Sequence, residues 1–413
     1  MYNRVNCSLS HYFVIPLAQA IIKVMKSSDY DVIVIGLGAM GAATTYQLAK
    51  AGTKVLGIDQ YSPPHANGSS HGDTRFTRLA VGEGAEYAPL AIRSHEIWRE
   101  IEREANTRLL VEAGGLIMFA GKDTDPVHNT NDFIANSQSI VQQFGIDHEL
   151  LGIEEIKNRF PAFNLTGTEE ALYEPGAGYV FAEESIKAQL NLAKKYGATL
   201  HLNERVESYK EQSGHVTATT NKDIYTASKL VICGGPWVAD FLPEYAQDFR
   251  VYRQVLYWFG LNDTAAYNSY KDIPVFAWAF PGGFFYGFPA IDGERGGIKV
   301  ATEEYEHSTT PEQLDRTVRQ DEIDRMFALI HDRLPGVTAE SIRAEACMYT
   351  VTPDHKFVID YHPEYPNVII VSPCSGHGFK HSAAIGELLA QLSATGKASF
   401  DISKFSLRRF EQK

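Results

Sequence analysis

Basic runs, cysteine pairs and long apolar stretches are all scarce in this chain of 413 residues. Lys and Arg number 38 against 51 Asp and Glu, for a net charge of −13. An acidic chain without a basic block excludes nucleic acid as the main ligand, although a local basic pocket can still draw small anions. The four cysteines, Cys7, Cys233, Cys347 and Cys374, form no CxxC pair. That spacing excludes a zinc cluster or a dense disulfide framework and suits a reducing, cytoplasmic setting. No run reaches the roughly 18 apolar residues of a membrane helix. There is no internal repeat and no low-complexity segment. What remains is a soluble globular composition, 44% hydrophobic and 22% charged, at a length that accommodates two domains.

Residues 1–27 stand apart as an N-terminal extension. Tyr12–Ala20, with Arg4 upstream, loosely imitates a signal peptide. The apolar run is short and contains Pro16, and Met25 lies just before the first strong strand. A dispensable extension or an upstream start is expected there rather than export.

Asp29–Ile35 reads as a buried parallel strand. Gly36-x-Gly38-x-x-Gly41 follows at once, then a helix over Ala42–Ala51 and a second strand, Lys54–Ile58, ending in Asp59. Gly36 would make the tight turn. Gly38 would let backbone amides approach a pyrophosphate, and Gly41 would let the helix close on the sheet. Asp59 falls ~20 residues on, where a ribose-binding acid belongs. A glycine triplet alone is weak evidence; strand, glycines, helix, strand and acid in this order predict a dinucleotide. A second βαβ-like stretch runs from Glu184 to Val238. It holds a helix over Ser185–Tyr196, short strands at Leu200–Leu202 and Val206, and a buried strand at Lys229–Gly235. Cys233 lies in that last strand as a core thiol.

Four later segments carry chemistry-bearing residues. In His71-Gly72-Asp73-Thr74-Arg75-x-x-Arg78, two arginines three apart can share a helical face and offer forked donors to an anion; a solvated basic turn is the plain alternative. Lys299, in Gly297-Ile298-Lys299-Val300, alternates either out to solvent or into a site, and its strand setting favours solvent. Ala346-Cys347-Met348-Tyr349-Thr350 holds the third cysteine. Ser375-Gly376-His377-Gly378-Phe379-Lys380 opens an expected helix, His381–Leu392, whose first amides can face an anion or simply cap the helix. Read singly, these segments give an unspecified oxidoreductase on a Rossmann-like fold.

Read in order, GxGxxG, HGDTRxxR, YGFP (Tyr286–Pro289), IK, ACMYT and SGHGFK resemble the monomeric sarcosine oxidase and N-methyltryptophan oxidase family of covalent FAD amine oxidases. The resemblance runs from about Asp29 to about Arg409. It implies FAD attached through its 8α-methyl group to Cys347. Cofactor contacts are implied at Gly36, Gly38, Met40, Gly41, Asp59, Gln60, Ser70, Thr74, Arg75, Val206, Gly376, Gly378 and Lys380. It implies Lys299 as the oxygen-activating lysine, with Arg75, His71, His377 and Tyr286 around the reacting atoms. Arg78 and Lys380 would hold the substrate carboxylate, beside Tyr349 and Gly376. No metal and no macromolecular partner is expected; the partners are a secondary amino acid and dioxygen, and the chain is expected to be a monomer.

The implied reaction oxidises the C–N bond of sarcosine or another N-methyl amino acid. The imine hydrolyses to formaldehyde and the demethylated amino acid, and dioxygen becomes hydrogen peroxide. Three departures leave the substrate open: Glu303 where the family carries a histidine, Ser70 where an HHGDTR run would begin with histidine, and the wall Phe276–Phe280. A cyclic or bulkier amine such as pipecolate or N-methyltryptophan is the alternative. A dehydrogenase using another acceptor and a non-catalytic flavoprotein are further ones. The expected architecture is α/β, α+β overall. A discontinuous FAD-binding domain is expected from 28–112, 176–250 and 346–413. A substrate domain on a mixed or antiparallel sheet is expected from 113–175 and 251–345.

Overall fold

A computed structural model describes residues 29–121 and 133–411. The expected extension, with Cys7 and Met25, lies outside the described residues. The fold has a parallel core sheet, a mixed sheet and a three-stranded connector. In the first sheet, Thr199–Leu202, Val55–Asp59, Tyr30–Ile35, Ile224–Ile232 and Val368–Ser372 lie side by side and parallel. The hairpin Val206–Gln212 and His215–Thr220 adds antiparallel to the start of Ile224–Ile232. Nearly unbroken β-branched runs fit this place, because the central strands are covered on both faces. Ile33, Leu56, Leu230 and Ile370 fill one side, and Val34, Val231, Ile369 and Val371 the other.

Helix Ala39–Lys50 follows the glycine turn and packs between helices Ala182–Lys195 and Ser382–Thr395. Small residues permit a very close crossing. A Cβ built on Gly386 would lie 2.5 Å from the Ala43 carbonyl carbon and 2.6 Å from its Cβ. This crossing holds the first glycine turn against the loop that precedes Ser382–Thr395. The last helix begins at Ser382, with a 3₁₀ turn over Phe379–His381 in place of its expected first residues.

The second sheet is mixed: Gly115–Ala120 runs parallel to Val275–Phe280, and its other pairings are antiparallel. Its longest pairing joins Arg250–Leu261 to Val337–Val351, with Gln254 opposite Cys347. The 345/346 boundary drawn from the sequence thus falls inside a continuous strand. No turn residue interrupts it, so Cys347 belongs to the second sheet. The connector pairs Thr74–Thr77 and Leu110–Val111 with Gly178–Phe181. Arg75 therefore sits in a strand and Arg78 just beyond it, correcting the shared helical face. Four residues, TRFT, pair antiparallel with Gly178–Phe181, which sets a two-residue period there.

Helix propensity alone makes Gly386→Ala stabilising by about 1 kcal/mol. The crossing reverses that sign: the variant is expected to lose about 1–3 kcal/mol through overpacking, read as a lower midpoint in thermal or denaturant unfolding.

Candidate active site

A cavity of about 590 Å³ is lined from all three sheets, by Gly36 and Asp59, by Thr74 and Arg75, and by Lys299 and Tyr286. Gly36 has φ +81, and a Cβ there would lie 2.3 Å from the Cys233 carbonyl oxygen. A Cβ on Gly41 would lie 1.7 Å from the Gly36 carbonyl oxygen. These two glycines are fixed by sterics. Gly38 is different: its nearest atom is Ser70 Oγ at 3.7 Å, and its backbone lines the cavity. Buried Asp59 accepts from Leu37 N at 2.7 Å and Tyr61 N at 2.8 Å, which fixes the carboxylate at the cavity wall. Met40, Gln60, Ser70 and Val206 line the same space. A bare glycine backbone at a helix start, with a fixed acid at the next strand end, fits FAD bound by its nucleotide half.

The cations face this cavity too. Strand Ile298–Ala301 buries Ile298 and Val300 in the second core and turns Lys299 to the opposite face. Lys299 is 5% exposed, which corrects the solvent-facing reading. Its Nζ donates to Gly72 O at 2.5 Å, Thr74 O at 2.8 Å and Thr74 Oγ1 at 3.2 Å. It also lies over the Phe288 and Trp258 rings. Burial, followed by the neighbouring Arg75 charge, pushes its proton affinity well below that of an ordinary lysine. Arg75 donates to the carbonyls of Ser69 and Thr74, each at 2.9 Å, and of His71 at 2.5 Å.

Arg78 donates to both oxygens of Glu83, at 2.8 and 2.9 Å, and stacks on Phe133. Lys380 Nζ donates to His377 O at 2.9 Å and lies 3.9 Å from Glu83 Oε1; His377 Nδ1 lies 3.8 Å from the same oxygen. Burial brings Lys380 down to about 7, against the pull of Glu83. Glu83 was not singled out in the sequence. Its only local signal is an acid between two glycines, and its role needs the spatial meeting of Arg78, His377 and Lys380. The hydroxyls of Tyr286 and Tyr349 are 3.3 Å apart, and burial pushes Tyr286 up to about 12. Glu303 lines the cavity and bears electrostatically on Lys380 and both tyrosines.

The loop Cys374–Gly378 closes one wall. Ser375 and Gly376 have φ +46 and +84, and a Cβ on Gly378 would lie 1.7 Å from the Pro373 carbonyl oxygen. His71, Gly41 and Cys347 lie behind the cavity wall rather than on it. Cys347 is 1% exposed; its Sγ lies 3.6 Å from Ser69 O and 3.9 Å from an Arg75 nitrogen. Burial alone would raise this thiol, but a hydrogen bond with His71 and the His71 and Arg75 charges bring it down to about 7. Cys233, buried in its strand, is pushed the other way by desolvation, up to about 12. Their surroundings thus shift the thiols of Cys233 and Cys347 in opposite directions.

The FAD dependent oxidoreductase (DAO) family model matches residues 31–392. A monomeric sarcosine oxidase of Bacillus sp. (strain B-0618) is 38% identical over 93% of this chain and 97% of its own. An N-methyl-L-tryptophan oxidase of Shigella sonnei (strain Ss046) is 32% identical over 92% of this chain and 100% of its own. NikD, described as an unusual amino acid oxidase, superposes with a TM-score of 0.78 at 23% identity, covering 92% of this chain and 98% of that one. At that identity it attests the fold. The chain belongs to the FAD dependent oxidoreductase family, and within it to the group of monomeric sarcosine oxidases and N-methyl-L-tryptophan oxidases.

Proposed function

We propose that the chain is a monomeric FAD-dependent oxidase of secondary amino acids, carrying its flavin on Cys347 and delivering electrons to dioxygen in a reducing, cytoplasmic compartment. The observation that carries the reading is the meeting of Arg78 and Lys380 on one buried carboxylate, Glu83, at a cavity that also receives Lys299. That corner already accommodates a carboxylate. A substrate carboxylate would compete with Glu83 for the same donors. FAD, when bound, supplies the two-electron acceptor for the C–N bond. Arg78 and Lys380 anchor the substrate so that its amine carbon is presented at the ring. Arg75 and Lys299 place positive charge where negative charge develops. The buried walls exclude water until the imine is released and hydrolyses. Products are an amine or demethylated amino acid, a carbonyl compound and hydrogen peroxide.

The apolar wall favours a second reading for the substrate. Ile117, Phe119, Phe133 and Phe284 line the cavity beside small Ala277 and Ala279, leaving room for a ring or an aryl group. Glu303 adds a carboxylate that welcomes a cationic substituent. Sarcosine, pipecolate and N-methyl aromatic amino acids are therefore the compounds to compare.

Peroxide release over a panel of sarcosine, N-methyl amino acids, pipecolate, proline and primary amino acids tests the reading. Turnover of a secondary amino acid, with one peroxide per amine consumed, is expected. Absence of turnover, together with a flavin that no secondary amino acid bleaches anaerobically, would contradict it. Cys347→Ser is expected to leave no flavin in an acid-precipitated pellet, whereas the native chain stays yellow there. Arg78→Met should lower kcat/KM for the amino acid by about 30- to 5,000-fold, the loss of about 2–5 kcal/mol typical of a buried charge pair. A secondary amine lacking a carboxylate should lose far less. Because Lys380 sits near 7 and an anion favours its charged form, binding takes up a proton. The dissociation constant of an unreactive carboxylate should therefore be flat below pH 7 and rise above it, as followed by flavin absorbance.

A further inference from the structure

Glu303 stands two residues past strand Ile298–Ala301 and lines the same cavity as Lys299. Its neighbours on both sides are tied down. Thr302 Oγ1 donates to Phe284 O at 2.6 Å. Glu304 N donates to Gln254 Oε1 at 3.0 Å, and Gln254 Nε2 returns a bond to Glu304 O at 2.6 Å. Gln254 is buried in the long strand opposite Cys347, so this end of the segment is fixed to the middle of the mixed sheet. The backbone thus holds the carboxylate in the wall. In the adjacent strands, Tyr286 lies opposite Ala301 and Ala277, and Phe284 opposite Ala279. Among the described residues, the other acids of the lining, Asp59, Glu204, Glu207 and Asp240, belong to the side of the parallel sheet. Glu303 is the acid that the mixed sheet brings to the cavity, on the side of Arg78 and Lys380.

We propose that Glu303 selects the substrate: the chain oxidises α-N-alkyl amino acids whose side chain carries a second cation, an ammonium or a guanidinium, and Glu303 receives that cation. The inference deepens the oxidase reading and rests on it. Arg78 and Lys380 hold the carboxylate end of the molecule, and Glu303 holds the far end. The charge of Glu303 is felt at Lys380, Tyr286 and Tyr349, in keeping with a place on the substrate side of the cavity. The α-amine is a poor partner for such an acid. It is protonated in water and must shed that proton before its C–H bond is oxidised. A carboxylate beside it would favour the charged, unreactive form. A side-chain cation undergoes no such change, so its pairing with Glu303 persists from binding to product. The same acid discriminates against other side chains. A neutral one leaves the carboxylate unpaired in a wall that has lost its water, and an acidic one is repelled. The reaction itself is the one proposed above: the amine loses two electrons and two protons, dioxygen gains them as hydrogen peroxide, and water hydrolyses the imine.

The native holoenzyme is assayed for peroxide release with Nα-methyl-lysine, Nα-methylarginine, N-methylnorleucine and N-methylglutamate. The expected order of kcat/KM is basic over neutral over acidic. Nα-methyl-lysine should lead N-methylnorleucine by about 10- to 150-fold, the scale of one hydrogen bond to a charged group. Glu303→Gln should abolish that preference, and Glu303→Asp should keep part of it. A native chain that turns over the neutral compound as well as the basic ones overturns the proposal. So does a preference that survives in Glu303→Gln. A variant that loses all the substrates alike also overturns it, because that marks an acid serving the α-amine or the charge balance of the cavity. Binding supplies a readout without turnover, and one that needs no variant. Followed by flavin absorbance, ε-aminocaproate should bind the native holoenzyme more tightly than caproate, and equal affinity overturns the proposal. Failure of the underlying reading is seen separately. No peroxide from any secondary amino acid, with a flavin that none of them bleaches, removes both; turnover of sarcosine without the charge order removes this inference alone.

Discussion

Three hydrogen bonds from Lys299 Nζ, to Gly72 O and to both oxygens of Thr74, join the mixed sheet to the connector loop. Burying an ammonium costs several kcal/mol unless its donors are met. Here three oxygens and two aromatic faces meet them, yet the site stays dry enough to depress the lysine's proton affinity. The Thr74 carbonyl also accepts from Arg75, together with those of Ser69 and His71. Loop, strand and cations are thus one unit, and the cavity wall is built from it. Loosening Lys299 would free the segment that carries His71, Thr74 and Arg75 together.

The positive charge of this region contrasts with a chain of net charge −13. Arg75, Arg78, Lys299 and Lys380 converge on the cavity, with Glu303 in its lining and Glu83 paired with Arg78 and Lys380. Such a cluster is costly to fold and useful where negative charge must be held: a substrate carboxylate, an electron-rich ring, an oxygen that has gained an electron. Glu83 pairs with Arg78 and lies 3.9 Å from Lys380, while loop oxygens accept from Arg75 and Lys299.

The glycine fingerprint was legible because its reasons are local. A turn with φ +81, and a first helical turn where a Cβ would lie 1.7 Å from a carbonyl oxygen, admit only glycine, and the flanking strands are nearly pure aliphatic. The order of motifs carried the family and, through it, the four cations. What escaped depends on contacts far apart in sequence. Lys299 reads as a solvent-facing strand residue until Gly72 and Thr74 are brought 225–227 positions across to meet it. Arg75 and Arg78 read as helical neighbours until the pairing with Gly178–Phe181 makes a strand of their segment. Glu83 carries no pattern of its own. Its meaning comes from Arg78 and Lys380.

The central claim is that burial of Lys299 at the cavity serves electron transfer to oxygen. Stopped-flow mixing of the photoreduced holoenzyme with dioxygen, native against Lys299→Met, measures that step without the amine half-reaction. The account predicts reoxidation slower by about 100-fold or more, the scale of losing one preorganised stabilising group, while anaerobic reduction by the amine persists. Reoxidation at the native rate in Lys299→Met would contradict it.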